Sequence, residues 1–181
     1  SIRRTDATLA NVNNSVAFLQ TQDGVLKTAD KVLSRMSELA TLAQDVTKTT
    51  TDLSLYNTEL DQLKGQLSLM VGEKFNGINL FSSGASAVSL DSSSTLTVVT
   101  SHDGVQTIGI TQADLAYIST SVGSSDTTGM DISTYAGATA AVATIQTAIQ
   151  DLATIRANNG AEQSRLTFAA DMLAVNKTNL E

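Results

Sequence analysis

No cysteine, proline or tryptophan occurs in this sequence, and aromatic side chains make up only 4% of its 181 residues. The missing cysteine excludes disulfides and thiolate metal sites. A chain without proline suits long uninterrupted helices better than a compact enzyme. The only histidine, His102, has no second imidazole or thiol with which to share acid–base or ligand work. The abundant serines therefore have no Ser–His pairing elsewhere in the chain. No catalytic residue, cofactor or metal is expected, and the chain does not read as an enzyme.

The net charge is −7, with the acids scattered rather than blocked. This excludes a phosphate-binding surface, and with it nucleic acid as a partner. No apolar run approaches the ~20 residues of a membrane span, so no membrane partner is expected. Ser1 is not followed by a charged and then apolar leader, so no cleaved signal peptide is expected.

Helical patterning fills much of the rest. Leu9, Val12, Val16, Leu19, Leu26, Ala29, Leu33, Met36, Ala40 and Ala43 recur at helical spacing and place one apolar face along a first helix over residues 3–46. A second stripe at Val25, Val32, Leu39 and Val46 widens that face. Gly24 marks a candidate bend. Residues 47–51, "TKTTT", break the pattern and offer hydroxyl caps, with Asp52 placed to favour a following helix N-terminus. Beyond them Leu53, Tyr56, Leu60, Leu63, Leu67 and Met70 form a heptad seam. Two such stripes joined by a short loop imply an antiparallel helical hairpin. The carboxylates Glu38, Asp52, Glu59 and Asp61 read as solvated helix-surface groups rather than an acid pair.

The stretch "GEKFNGINLF" at residues 72–81 then ends the helix, because Asn76-Gly77 can take the positive φ angles of a two-residue hairpin turn. From Ser82 to about Gly129 serine, threonine, glycine and valine dominate, and "STLTVVT", "SHDG" and "VQTIGIT" read as strand, turn and strand. After Ile132 the helical period returns at Val142, Ile145, Ile149, Leu152 and Ile155, then Leu166, Ala169 and Leu173, interrupted by the polar "RANNGAEQSRL" with Gly160. The expected fold is mainly α with a small β insert. It is an elongated rod of long antiparallel helices plus β-hairpins, with a helical hairpin over 1–74, a β-hairpin and loop region over 75–130 and a long helix over 131–181.

Several ordered motifs resemble those of the bacterial flagellins. "LQTQDGVLKTADKVLSRMSELATLAQ" is similar to their Gln-Thr, acid-Gly and Leu-x-Arg-x-x-Glu-Leu pattern, and "KFNGINLF" to their Phe-Asn-Gly signature. "IQDLATIRANNGAEQSRLTFAADML" resembles their Arg-x-x-x-Gly-Ala-x-Gln-x-Arg segment at Arg156, Gly160, Ala161, Gln163 and Arg165. The resemblance covers residues 1 to about 81 and 141 to 181. It implies the rod-like core of a flagellar filament subunit without the terminal helical segments, extracellular in the bacterial flagellum and exported without a cleaved signal peptide.

The same resemblance implies a homopolymer with other subunits, and an export chaperone and cap as partners of the parent protein. Two alternatives remain: a hook–filament junction protein with flagellin-like ends, and a flagellin homologue that binds cell-surface glycans or a host receptor without polymerising. Ser82, Ser83, Ser92 and Ser94 are candidate acceptors of O-linked sugars in the family's manner. The resemblance also implies recognition by Toll-like receptor 5 through Arg35, Leu39 and Glu59, although Ser34, Ser37 and Leu42 depart from the polar or charged side chains of strongly recognised flagellins.

Overall fold

The computed structural model describes residues 2–82, 95–123 and 129–180. Two helices dominate it: α1 (Ile2–Leu42) and α4 (Tyr135–Leu180), of 41 and 46 residues. At ~1.5 Å per residue they run about 62 and 69 Å. Between them in sequence lie α2 (Thr50–Met70), β1 (Lys74–Phe75), β2 (Ile78–Asn79), β3 (Thr95–Val99), β4 (Thr107–Thr111) and α3 (Leu115–Ser121). An isolated helix with so many polar positions is marginal in water, so each long helix depends on burying its stripe. They bury it against each other, packing antiparallel along most of their length.

The seam contains Val12, Leu19, Leu26, Leu33 and Met36 from α1 and Ile145, Leu152, Ile155, Leu166 and Leu173 from α4, all at or near zero exposure. Full burial of such a side chain contributes about 1.5–3 kcal/mol. Leu39, on the second stripe, is also fully buried, but Val46 is 88% exposed because α1 stops at Leu42 and residues 43–49 turn back. The first helix therefore ends four residues before the expected limit. It runs unbroken through Gly24. The "RANNGAEQSRL" stretch likewise interrupts the apolar pattern but not the helix, since α4 continues through Gly160.

The start of α2 follows the sequence closely. Thr49 is its N-cap: its hydroxyl accepts from the Asp52 amide at 3.1 Å, while the Asp52 carboxylate accepts from the Thr49 amide at 2.9 Å. Two orphan donors are thereby satisfied reciprocally. Only Leu60, Lys64, Leu67 and Met70 of this helix are buried; Leu53, Tyr56 and Leu63 are half-buried against the core. The seam of α2 is thus narrower than its heptad spacing suggests, and it includes a lysine.

β1 and β2 form a hairpin around Asn76 (φ 49°) and Gly77 (φ 78°), the positive-φ pair that the Asn-Gly sequence allows. The hairpin delivers Leu80 and Phe81 into the core, and Phe81 bridges to Ala113. β3 and β4 pair antiparallel with Thr95 opposite Thr111 and Val99 opposite Thr107, joined through residues 100–106 with Gly104 at φ 80°.

The region expected as hairpin and loop also holds α3, which its serine and threonine content concealed. Asp114 caps this helix through the Tyr117 amide at 2.9 Å, and Leu115 and Ile118 are fully buried. Burial pushes the Asp114 carboxyl up, opposed by the Tyr117 amide. The Oγ of Ser82 is buried rather than displayed as a sugar acceptor; Ser83, Ser92 and Ser94 lie outside the described residues.

These burial differences order the costs of truncation along α2. Leu60→Ala or Leu67→Ala should each lower stability by roughly 2–5 kcal/mol, and Leu63→Ala by less than either. Urea titrations of the three variants measure this. A larger loss at Leu63 would displace the α2 register.

Candidate functional site

Two polar clusters stand out on this frame, one buried and one at the surface. The buried cluster sits midway along the long-helix pair. Asn159 of α4, only 2% exposed, donates from Nδ2 to the Leu19 carbonyl at 2.9 Å and to Gln22 Oε1 at 2.8 Å. Gln22 of α1, 1% exposed, donates from Nε2 to the Leu80 carbonyl at 2.7 Å and the Thr111 carbonyl at 3.0 Å. Gln163 donates to Asn159 Oδ1. One turn away Glu162 accepts from the Thr111 amide at 3.0 Å and the Thr111 hydroxyl at 2.5 Å. Just outside, Arg156 Nε pairs with Asp23 Oδ1 at 3.1 Å.

Four segments meet in this lock: α1, α4, the exit of the β1–β2 hairpin and β4. A buried amide with every group satisfied is stable, and one left half-satisfied is costly. Residues from motifs at the two ends of the sequence thus form one structure: Gln22 and Asp23 from "LQTQDG", Arg156, Asn159 and Gln163 from "RANNGAEQ". Gln22, Asn159 and Lys64 were not legible as buried residues. The available signal was polar residues at helical spacing from the apolar stripe.

The surface cluster joins α1 to α2. Arg35 donates from Nε and Nη2 to the two oxygens of Glu59 at 2.8 and 3.1 Å, and pairs with Glu38 at 3.0 Å. The side chains of Arg35 and Glu59 are 41% and 43% exposed. Hydrogen bonding to Glu59, then Glu38, raises the Arg35 pKa further, and the Arg35 guanidinium holds the Glu59 carboxyl below its ordinary 4.5.

Arg35 and Glu59 therefore come together as the receptor reading expects, whereas Leu39 does not join them at the surface. Leu39 has no exposed area and belongs to the core cluster, because at this point the second stripe of α1 is inside rather than at an edge. The carboxylates expected to be solvated keep much of their exposure, Glu38 at 62% and Asp61 at 55%, and each also has a partner. Glu38 and Glu59 share Arg35, Asp52 closes the capping box, and Asp61 pairs with Lys64 at 2.7 Å.

His102 lies in the turn between β3 and β4, on the rim of an open groove of about 620 Å³ that the hairpin forms with Arg165, Phe168 and Met172 of α4. Among the described residues no group of three or more His, Asp or Glu is placed to hold a metal ion. No helix among them is long and apolar enough to cross a membrane.

Comparison with known proteins places this geometry. Residues 1–86 match the bacterial flagellin N-terminal helical region. The fold of the chain is similar to the crystal structure of Bacillus cereus flagellin, with a TM-score of 0.76 and 23% identity over 90% of this chain and 88% of that one. It is also similar to a Vibrio parahaemolyticus structure described as a flagellar hook-associated protein, with a TM-score of 0.74 and 14% identity over 98% of this chain and 88% of that one. No curated protein sequence matches the chain significantly. The comparisons thus show a match to the flagellin N-terminal helical region over residues 1–86 and a flagellin-like fold.

Two outcomes test the clusters. Asn159→Ala removes a buried donor pair and leaves Gln22 Oε1 without that partner, so urea denaturation should show a loss of about 1–3 kcal/mol. Glu59 behaves as a depressed carboxylate: its contribution is fully present above its unfolded pKa and is lost as pH falls through the lower folded value. The stability margin of the parent protein over Glu59→Gln should therefore be present at pH 7 and shrink progressively below about pH 4.5. A margin that stayed constant with pH would remove the ion pair as its source.

Proposed function

We propose that this chain is a filament subunit of the bacterial flagellum whose rods pack side by side, outside the cell, in a homopolymer. The observation that carries this reading is the flagellin N-terminal helical region over residues 1–86, set in a rod in which α1 and α4 pack antiparallel. The mechanism is mechanical: a stiff rod offers long lateral faces over which many small contacts add. Export chaperone and cap are partners of the parent protein in this reading.

A hook–filament junction role is the second reading, favoured by the likeness to the hook-associated structure over 98% of this chain. Immunogold electron microscopy with an antibody against the β3–β4 hairpin separates the two. Labelling along whole filaments is expected. Gold confined to one zone next to the hook would replace the filament reading with the junction one.

Recognition by Toll-like receptor 5 rests on the resemblance and on the half-exposed Arg35–Glu59 pair, with Leu39 acting from beneath as packing for Arg35's helix. Arginine is a frequent interface hot spot. Titrating the receptor ectodomain against the parent and Arg35→Ala should show roughly 5- to 30-fold weaker binding of the variant. Equal affinities would take Arg35 out of the interface, and no binding to either would leave the structural role alone.

A further inference from the structure

We propose that α2 is a hinged strap that opens from the rod as a unit while α1 and α4 stay paired. The inference rests on how unevenly the three main helices are held. α1 and α4 share a seam of fully buried side chains and the Gln22–Asn159 lock. α2 packs on α1 and α3, and of its four buried residues one is the charged Lys64.

Much of what fastens α2 is polar and reaches outward to single points. Glu59 takes Arg35, Asn57 Oδ1 accepts from the Ile132 amide at 2.9 Å, and Lys64 Nζ donates to the Met130 carbonyl at 2.9 Å. Such bonds exchange for water at small net cost, unlike apolar burial. An open groove of about 430 Å³ runs between α1 and α2 past Gly24, Thr28 and Gln66. A Cβ added at Gly65 in mid-helix would meet nothing within 4 Å, so no close approach requires this glycine, and glycine in a helix interior weakens it. Leu55 and Leu69 are 64% and 73% exposed, so part of the apolar content of α2 contributes no packing.

Both ends of the strap are tethered. Residues 43–49 turn directly out of α1, and the far end leads through the β1–β2 hairpin to Leu80, whose carbonyl is held by Gln22. Opening breaks the Arg35–Glu59 pair and uncovers the part of the α1 face that α4 leaves to α2. The lock remains closed throughout. The free subunit thus alternates between a covered α1 and a transiently reachable one, whatever its place in the flagellum.

Native-state hydrogen exchange at low urea concentrations tests this on the whole chain. α2 amides should share one opening free energy and urea slope, both smaller than those of α1 and α4. The antiparallel register set by Lys177–Asp6, Arg156–Asp23 and Asn159–Leu19 puts Leu166 level with α1 near Val12, beyond the reach of α2, whose Glu59 sits level with Arg35. Leu166→Ala destabilises the closed and α2-open states alike. It should speed exchange at core amides of α1 and α4 by at least about 10-fold and leave α2 amides within about twofold. Acceleration of α2 by the same factor as α1 and α4 would overturn the proposal. So would α2 exchange that shares the global urea slope, or that lacks urea dependence altogether as in fraying. Leu166→Val and the urea dependence of the unmodified chain carry the test if the alanine variant does not fold.

Discussion

Register between two long antiparallel helices is the constraint on which the rest of this molecule depends. A seam built from leucine, isoleucine and alanine at heptad-like spacing is nearly as well satisfied after a slip of one heptad as before it. A buried amide is not, and a single polar side chain in such a seam can fix pairing at some cost in stability. Asn159 reaches the Leu19 carbonyl and Gln22 at once, and only one offset of α4 along α1 makes both bonds. Gln22 then uses its own amide hydrogens on the Leu80 and Thr111 carbonyls. The lock that sets helix register therefore also sets where the first hairpin ends and where β4 lies.

This arrangement divides the molecule into parts held in different ways. The long-helix pair gains its stability from apolar burial and its uniqueness from the lock. α2, in contrast, adds a narrow seam and several polar fastenings. Lys64 shows the compromise: its ammonium is withdrawn from water and recovers its bonds from the Met130 carbonyl and Asp61. Removing one partner of such a group would leave the other uncompensated, so the fastening is specific even where it is not strong.

The parts of the fold governed by local pattern were legible in the sequence. The stripe from Leu9 to Met36, the Thr49–Asp52 cap, the Asn76-Gly77 turn and the β3–β4 strands all follow from spacing or from one residue's backbone freedom. The missed features depend on distant partners. Asn159 looked like part of a polar break because nothing local distinguishes an amide facing water from one facing Gln22, 137 positions away. α3 hid in a serine-rich stretch whose helix depends on the Asp114 cap and on burial of Leu115 and Ile118. At the surface Arg35 meets Glu59, but the second stripe carries Leu39 inside. Only the neighbours' positions decide whether a stripe residue is edge or core.

The helix surfaces carry a physical feature relevant to the proposed lateral packing. Charged residues are only 16% of the chain, and much of the remaining polarity is hydroxyl. Ser15, Thr21, Thr28 and Thr41 on α1, Thr58 on α2, and Thr139, Thr144, Thr147, Thr154, Thr167 and Thr178 on α4 all donate to the carbonyl four residues back on their own helix. A hydroxyl already bonded to its own backbone gives up little when water leaves, whereas a lysine or glutamate must find a partner across the contact. Faces of this kind stay soluble in the free chain and are cheap to desolvate against a similar face. Their low charge also keeps repulsion between identical copies small, despite a net charge of −7. A rod that must lie beside many copies of itself is better served by such hydroxyl-covered faces than by a dense charge network, in which like copies place like charges together.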